Sequence, residues 1–298
     1  MIRSCSRGAA LLDFVQEYDY NRVTIYHNGF GTVPFDFVWP FGASFLPGVS
    51  IITIAPGTRQ QRETPSSDLT PLVKSLEGFE NAITAEGATF IVDDNQLTSL
   101  GGLPTAKDLV VSANGNAITS LDGLSADLRL KSLYLKNNEL TSLKGIHVLN
   151  GTLKTLDVSN NQIDEFSIVP SSVETLDAGN TNLASLRQLE HLTNLRELRV
   201  SFVPDAFRRF KNGRSFFSLG KLPPFNKLTK LQASGNGITS LSRLNNSAFE
   251  GLEILYLNNN AIDGRDLAKV SALPTLSTLA VSDNGFKSLN EVSVNQWG

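Results

Sequence analysis

Three histidines, one cysteine and an acidic pair are the residues from which this chain would have to assemble a metal centre or a nucleophilic site. His27, His147 and His191 stand in different segments, and Cys5 is alone. Zinc needs three or four convergent nitrogen or sulfur ligands, and no such spacing is spelled out. Asp93-Asp94-Asn95 is acidic enough to suggest a hard cation, yet both aspartates fall in variable slots of a repeat set out below. Gly213 and Gly220-Lys221 are too far apart for a phosphate-cradling G-x-x-x-x-G-K-[ST] loop. The reading is therefore of no catalytic residue, no metal and no cofactor.

Composition narrows the classes further. The net charge of −3 argues against a nucleic-acid binder, whose footprint is a basic surface. A single cysteine permits no intrachain disulfide, which favours a reducing compartment and a cytoplasmic location. Two glycosylation sequons, Asn150-Gly151-Thr152 and Asn245-Asn246-Ser247, point the other way, although such short matches arise by chance in Asn- and Ser-rich chains. The apolar run Ala9–Leu12 is cut by Asp13 and is too short for a signal peptide. A membrane-associated or extracellular location is the alternative if the N-terminus is incomplete.

The elements that would position any site are repeats. Leu133-Tyr134-Leu135-Lys136-Asn137-Asn138-Glu139-Leu140 reads L-x-L-x-x-N-x-L. The frame returns with its asparagine at Asn95, Asn116, Asn161, Asn236, Asn260 and Asn284, the Asn116 copy being blurred by a second candidate, Asn114. Two more copies carry Thr181 and Val203 in that slot, making nine. Most anchors lie 20–24 residues apart, the exception being the 33-residue step from Val203 to Asn236. L-x-L predicts a short strand with alternate side chains turned inward. Neighbouring copies then pair in parallel and stack one continuous core. The asparagine amide would bond backbone groups otherwise buried and unpaired. The leucines of "TSL" and "KSL" (Leu100, Leu121, Leu143, Leu241 and Leu289) fill a returning side too short for long helices, so 3-10 turns or short helices are expected there.

This frame resembles the leucine-rich-repeat family over roughly residues 85–292. The tails "LTSLGGL", "ITSLDGL" and "LTSLKGI" look like the short 22-residue subclass. That subclass includes regulatory subunits of protein phosphatase-1, and it is similar to the repeat arrays of protist receptor-like kinases. The resemblance implies an α/β solenoid: a horseshoe with a concave parallel β-sheet that grips a partner and a convex side of 3-10 or short helices.

Residues 1–84 match the frame poorly. They read as an N-terminal cap or a degenerate region, with one weak match at Val23, Ile25, Asn28 and Phe30. Phe37–Ala55 carries no charge over 19 residues, near membrane-spanning length, but Pro40, Gly42, Pro47 and Gly48 would break a helix. A packed cap is the preferred reading. Residues 56–71 read as a loop, and a short helix near Leu69–Phe79 is expected to cover the first true repeat. The segment 204–226 is an insertion holding Arg208, Arg209, Phe210 and Arg214 among further basic and aromatic residues. Two readings are open for it: phenylalanines tucked onto the solenoid, or a loop that meets an acidic partner. Residues 293–298 form a tail.

Counting from the asparagine slot, residues six, four and two before it point out of the sheet. The outward candidates for partner contact are Tyr134, Lys136, Asp157, Asp177, Arg199, Gln232 and Tyr256. Tyr and Arg are enriched at interface hot spots. Asp157 and Asp177 stack in adjacent copies and would repel unless a basic partner or Arg199 neutralises them. Arg199-Val200-Ser201-Phe202 matches the R-V-x-F pattern that docks on protein phosphatase-1. That motif must be extended and free, whereas Val200 holds an inward strand position. The expectation is a monomeric interaction module that binds a protein partner through the sheet. A second reading is the repeat part of a larger enzyme such as a receptor-like kinase, because the chain ends soon after the ninth copy without a clear cap.

Overall fold

The computed structural model describes residues 16–19, 22–27, 51–56, 73–77, 79–80, 85–202, 225–241, 244 and 249–286. It falls into two compact units, Met1–Leu153 and Lys154–Gly298. The first unit carries β1 (Gln16–Asp19), β2 (Arg22–His27), β3 (Ile51–Pro56), β4 (Thr89–Ile91), β5 (Lys107–Ser112) and β6 (Arg129–Tyr134). The second carries β7 (Thr155–Asp157), β8 (Thr175–Asp177), β9 (Glu197–Arg199), β10 (Lys230–Gln232), β11 (Ile254–Tyr256) and β12 (Thr278–Ala280).

Every strand from β4 to β12 falls on the L-x-L of one copy, as the period predicts. Within each unit, successive copies pair in parallel, in register except for a shift around Leu109 where β5 meets β6. Ile91 lies beside Ser112 and Ser112 beside Tyr134, while Asp177 lies beside Arg199 and Gln232 beside Tyr256. The inward residues of the first unit (Phe90, Val92, Val111, Ala113, Leu133 and Leu135) are fully buried. So are Leu156, Val158, Leu198, Leu231, Leu255 and Leu257 in the second. Each repeat thus buries its apolar side only against its neighbours, the defining economy of a solenoid.

The return side is short, as expected. It contains 3-10 helices at Ile146–Leu149, Leu186–Leu189 and Ala268–Ala272, and a single α-turn at Gly264–Leu267. The tails themselves are hydrogen-bonded turns. Ser120 Oγ accepts the Asp122 amide at 3.1 Å, and the Leu124 amide donates to Leu121 O at 3.1 Å. Lys144 and Ser142, then Ile146 and Leu143, repeat the arrangement at 3.1 and 3.0 Å.

Upstream of residue 85 the structure departs from expectation. β3 pairs in parallel with β4, placing Ile52 beside Phe90, and β2 pairs in parallel with β3. β1 and β2 form an antiparallel pair. The last residues of the charge-free run 37–55 are therefore strand, and no described helix is long and apolar enough to cross a membrane. The helix expected near Leu69–Phe79 is corrected where it is described. Val73–Glu77 and Phe79 are irregular, with Val73, Leu76 and Phe79 buried. Their bonds explain why. Ser75 Oγ accepts the Glu77 amide at 3.2 Å, and the Phe79 amide donates to Leu76 O at 3.0 Å. "KSLEGF" is thus the same return tail as "TSLDGL", belonging to a copy whose strand is β3. The stretches 1–15, 28–50, 57–72, 203–224 and 287–298 are among those outside the described residues, and with them lie the weak match at Asn28 and Phe30, most of the loop 56–71 and Leu289.

Candidate functional site

The asparagine slot is the device that sets the geometry of the outward face. Asn116 is the slot residue of its copy. Its Oδ1 accepts the Leu97 amide at 3.0 Å, and its Nδ2 donates to Val92 O and Ala113 O at 3.0 and 3.1 Å. Asn138 does the same with the Ile118 amide, Ala113 O and Leu135 O at 3.1, 3.0 and 2.9 Å. Asn260 and Asn284 repeat it with the amides of Ile238 and Ile262 at 3.0 and 3.1 Å. One side chain thus satisfies groups of its own turn and of the turn before. Thr181 keeps only part of this, its Oγ1 donating to Ala178 O at 2.8 Å. Asn236 Oδ1 is buried with no hydrogen-bond partner. The amide it would accept lies two past Val203, at Asp205, outside the described residues.

The residue just before the slot adopts a left-handed conformation. Its φ is +55° at Asp94, +56° at Asn137, +57° at Asn160, +54° at Asn259 and +55° at Asp283, with glycines at 115 and 235. Asn, Asp and Gly are the types that tolerate this region. The row is therefore not variable, contrary to the reading of Asp94. Its geometry lets the slot −1 amide continue the ladder: Asn160 donates to Gly179 O and Asn259 to Ser282 O, at 2.9 and 2.8 Å. In the copy before the insertion this slot holds Phe202, which is buried.

A second ladder runs along the row two before the slot, and sequence reasoning missed it. Asp93 Oδ1 accepts the Asn114 amide at 2.7 Å, and Asn114 Oδ1 accepts the Lys136 amide at 2.8 Å. Ser201 Oγ accepts the Ser234 amide at 3.1 Å, and Asn258 Oδ1 the Ser282 amide at 2.9 Å. Asp93 also takes the Ser112 hydroxyl at 2.8 Å, so this acid ties two copies together. A lysine side chain cannot accept, and Lys136 is exposed. In the second unit the Ser159 amide bonds Asp157 Oδ1 at 2.9 Å, two residues back, and the Gly179 amide bonds Asp177 Oδ1 at 3.0 Å. Asp157 and Asp177, expected at a partner interface, are thus already engaged with their own backbone.

Most of the described outward positions from β3 onward are half-exposed, Tyr134 and Tyr256 among them, while Ser132 is buried and Thr278 exposed. Gln232 lies between Arg199 and Tyr256. Arg199 reaches Asp177 at 3.8 Å and Glu197 at 3.5 Å, and Lys230 reaches Glu197 at 3.8 Å. The neutralisation expected of Arg199 is present for Asp177. Beside them Glu174 pairs with Lys154 at 3.0 Å and Arg196 at 3.5 Å, and the Lys154 hydrogen bond holds its carboxyl below the ordinary range. In the first unit the matching rows hold Arg22, Ile51, Thr89, Val110 and Ser132 in one, and Thr24, Thr53, Ile91, Ser112 and Tyr134 in the other.

The remaining candidates divide. Val200 and Phe202 of the R-V-x-F match are 1% and 7% exposed, so that motif is built into the core. Arg208, Arg209, Phe210 and Arg214 lie outside the described residues. Phe225, at the end of the insertion, is buried against Phe249, with ring centroids 6.5 Å apart. Asn150 stands exposed after the 3-10 helix Ile146–Leu149, while the second sequon lies outside the described residues.

Parallel strands on one side, return turns on the other and an asparagine ladder between them define a leucine-rich-repeat solenoid. The fold of the chain is that of leucine-rich-repeat proteins. The Leucine Rich Repeat family model matches residues 152–176. Toll-like receptor 2 of Bos taurus is 27% identical over 180 residues, which cover 57% of this chain and 21% of the receptor. The chain thus spans about a fifth of the length of that curated relative. A protein phosphatase 1 regulatory inhibitor subunit PPP1R7 homolog of Arabidopsis thaliana is 28% identical over 111 residues, covering 36% of this chain and 34% of that protein. Among solved structures, an internalin of Listeria monocytogenes shares the fold with a TM-score of 0.57 and 22% identity, covering 76% of this chain and 63% of that one. A chain of the complex of latrophilin 3, Unc5D and FLRT2 (LRR) does so with a TM-score of 0.58 and 18% identity, covering 93% and 80%.

Proposed function

We propose that the chain is a monomeric interaction module that binds a protein partner on its outward strand faces. The observation that carries this is the fixed lattice of half-exposed side chains on those faces. The inward residues are committed to the core, and the return sides are closed by their own turns. Each face is held in place by two hydrogen-bond ladders, so a partner meets side chains that need no ordering, which lowers the entropy lost on binding. The candidates are Tyr134 and Lys136 in the first unit, and Asp157, Asp177, Arg199, Gln232 and Tyr256 in the second. Tyr134 and Tyr256 are the anchors, because their large side chains are neither buried nor charged. The name of the Arabidopsis relative, a regulatory inhibitor subunit of a phosphatase, supports a role exercised through another protein. The single cysteine supports action in a reducing compartment.

Hydrogen-exchange mass spectrometry of the full chain, with and without proteins it retains from its native extract, tests this reading. Protection is expected in strand segments such as 132–136 and 254–258. Protection confined to the return tails would contradict it.

A further inference from the structure

We propose that the outward strand face of the Lys154–Gly298 unit docks an extended segment of a protein partner, with a basic residue at one end of that segment and an aromatic or aliphatic one at the other. This deepens the function proposed above and rests on it. The row concerned runs Asp157, Asp177, Arg199, Gln232 and Tyr256 across β7 to β11, in register and half-exposed throughout. Its ends differ in what they lack. At the β7 end, Ser159 uses only Oδ1 of Asp157, through its amide and its hydroxyl. No cation lies within ion-pairing distance of Asp157 among the described residues: Lys154 is paired with Glu174, and Arg199 reaches Asp177 and Glu197. At the β11 end Tyr256 is uncharged, with Ile254 on its own strand and Ala280 beside it on the next. The acid nearest in sequence, Glu253, stands exposed before the strand.

The occupant follows from charge complementarity. Asp157 calls for a cation. In the middle of the row the charges are already balanced, Arg199 and Lys230 against Asp177 and Glu197 at 3.5–3.8 Å. Those separations offset charge without an aligned hydrogen bond, and the buried Nε of Arg199 has no partner. An arginine can only donate, so what lies over it must accept. Main-chain carbonyls of an extended peptide meet that need, whereas a carboxylate would crowd Asp177 and Glu197. Tyr256 then anchors an apolar side chain. The neighbouring outward row is Ser159, Gly179, Ser201 and Ser234, small residues that leave room for a peptide main chain. In the first unit the equivalent row holds Asp93, Asn114 and Lys136, side chains that would occupy that room. Four strand steps of about 4.8 Å separate Asp157 from Tyr256, and an extended chain at about 3.3 Å per residue covers that span in about six residues.

The test is selection of a phage-displayed library of random peptides, about twelve residues long, on the immobilised full chain. The peptides are expected to share a Lys or Arg about five to seven positions from a Trp, Tyr, Phe, Leu or Met. Their affinity should fall at least about tenfold with Asp157→Asn and with Tyr256→Ala. On the parent chain, where no folding defect enters, it should fall at least about twofold between about 50 mM and 500 mM NaCl. Asparagine keeps the oxygen that accepts from Ser159, so the melt of Asp157→Asn should be unchanged. Selection repeated on that variant should lose the basic residue and keep the apolar one. Peptides without a basic residue, or peptides that bind the parent and Asp157→Asn alike, would overturn this inference. If Tyr256→Ala or Tyr134→Ala still weakened them, contact through the strand faces would stand. Peptides indifferent to every strand-face change would sink both readings, and a selection that returns no binder would overturn the present one.

Discussion

Asn260 accepts the backbone N–H of Ile238, 22 positions upstream, on its Oδ1 at 3.0 Å. The same oxygen takes the Asn236 amide at 3.0 Å, and its Nδ2 donates to Ala233 O and Leu257 O. Removing this side chain strands several backbone groups at once. Asn260→Ala and Asn138→Ala are expected to destabilise the chain by roughly 1–3 kcal/mol each. Chemical denaturation checks this, and unchanged midpoints for both would show that the ladder does not hold the turns.

Asn259, its neighbour, is required for a different reason: its φ of +54°. Glycine accepts that conformation freely, and a β-branched residue does not. Asn259→Gly should therefore be nearly neutral, while Asn259→Val should cost about 1–2 kcal/mol. Equal melting temperatures for the two variants would contradict the assigned backbone role.

Gly235 combines both constraints. Its φ is +73°, and a Cβ built there would collide with the Phe202 carbonyl oxygen. Asparagine holds this position in other copies, so the demand for glycine is local to the turn that precedes the insertion. Gly235→Ala is expected to destabilise by about 2 kcal/mol or more. A thermal melt indistinguishable from that of the parent chain would mean that the Phe202 backbone yields at little cost.

Asp266 makes stability depend on acidity. Burial pushes its carboxyl up, but hydrogen bonds from Lys269 and Ser240, the Lys269 charge and the Leu241 amide outweigh it and hold the group below its ordinary value. A depressed carboxylate contributes stability that is in place above its unfolded pKa of about 3.9 and is lost as pH falls through the lower folded value. Asp266→Asn should therefore lower stability at neutral pH and flatten the loss between about pH 4 and 2. Parallel acid titrations of parent and variant would contradict the assignment.

Much of this architecture was legible in the spacing, because every L-x-L and every slot asparagine repeats a single physical demand. The left-handed row was equally visible as Asp94, Asn137, Asn160 and Asn259, but polar residues beside a polar slot look like variation until φ is known. The tail Ser75–Phe79 was obscured because residues 57–72 separate it from its strand. The engagement of Asp157 and Asp177 with their own backbone could not be read locally. It rests on the amides two residues on, those of Ser159 and Gly179, whereas the spacing marks both aspartates only as outward positions. The inward fate of Val200 was legible, since its alternation with Arg199 and Ser201 left it only one side to face.

Contact through the outward strand faces is checked by measuring partner affinity of the full chain carrying Tyr134→Ala with Tyr256→Ala. The expected result is an intact fold with binding weaker by at least about 2 kcal/mol, and parent-like affinity after deletion of 204–224, which leaves the buried Phe225 in place. Normal binding by the double variant, together with lost binding and an unchanged melt on deletion of 204–224, would make the insertion the site and leave the strand faces as scaffold.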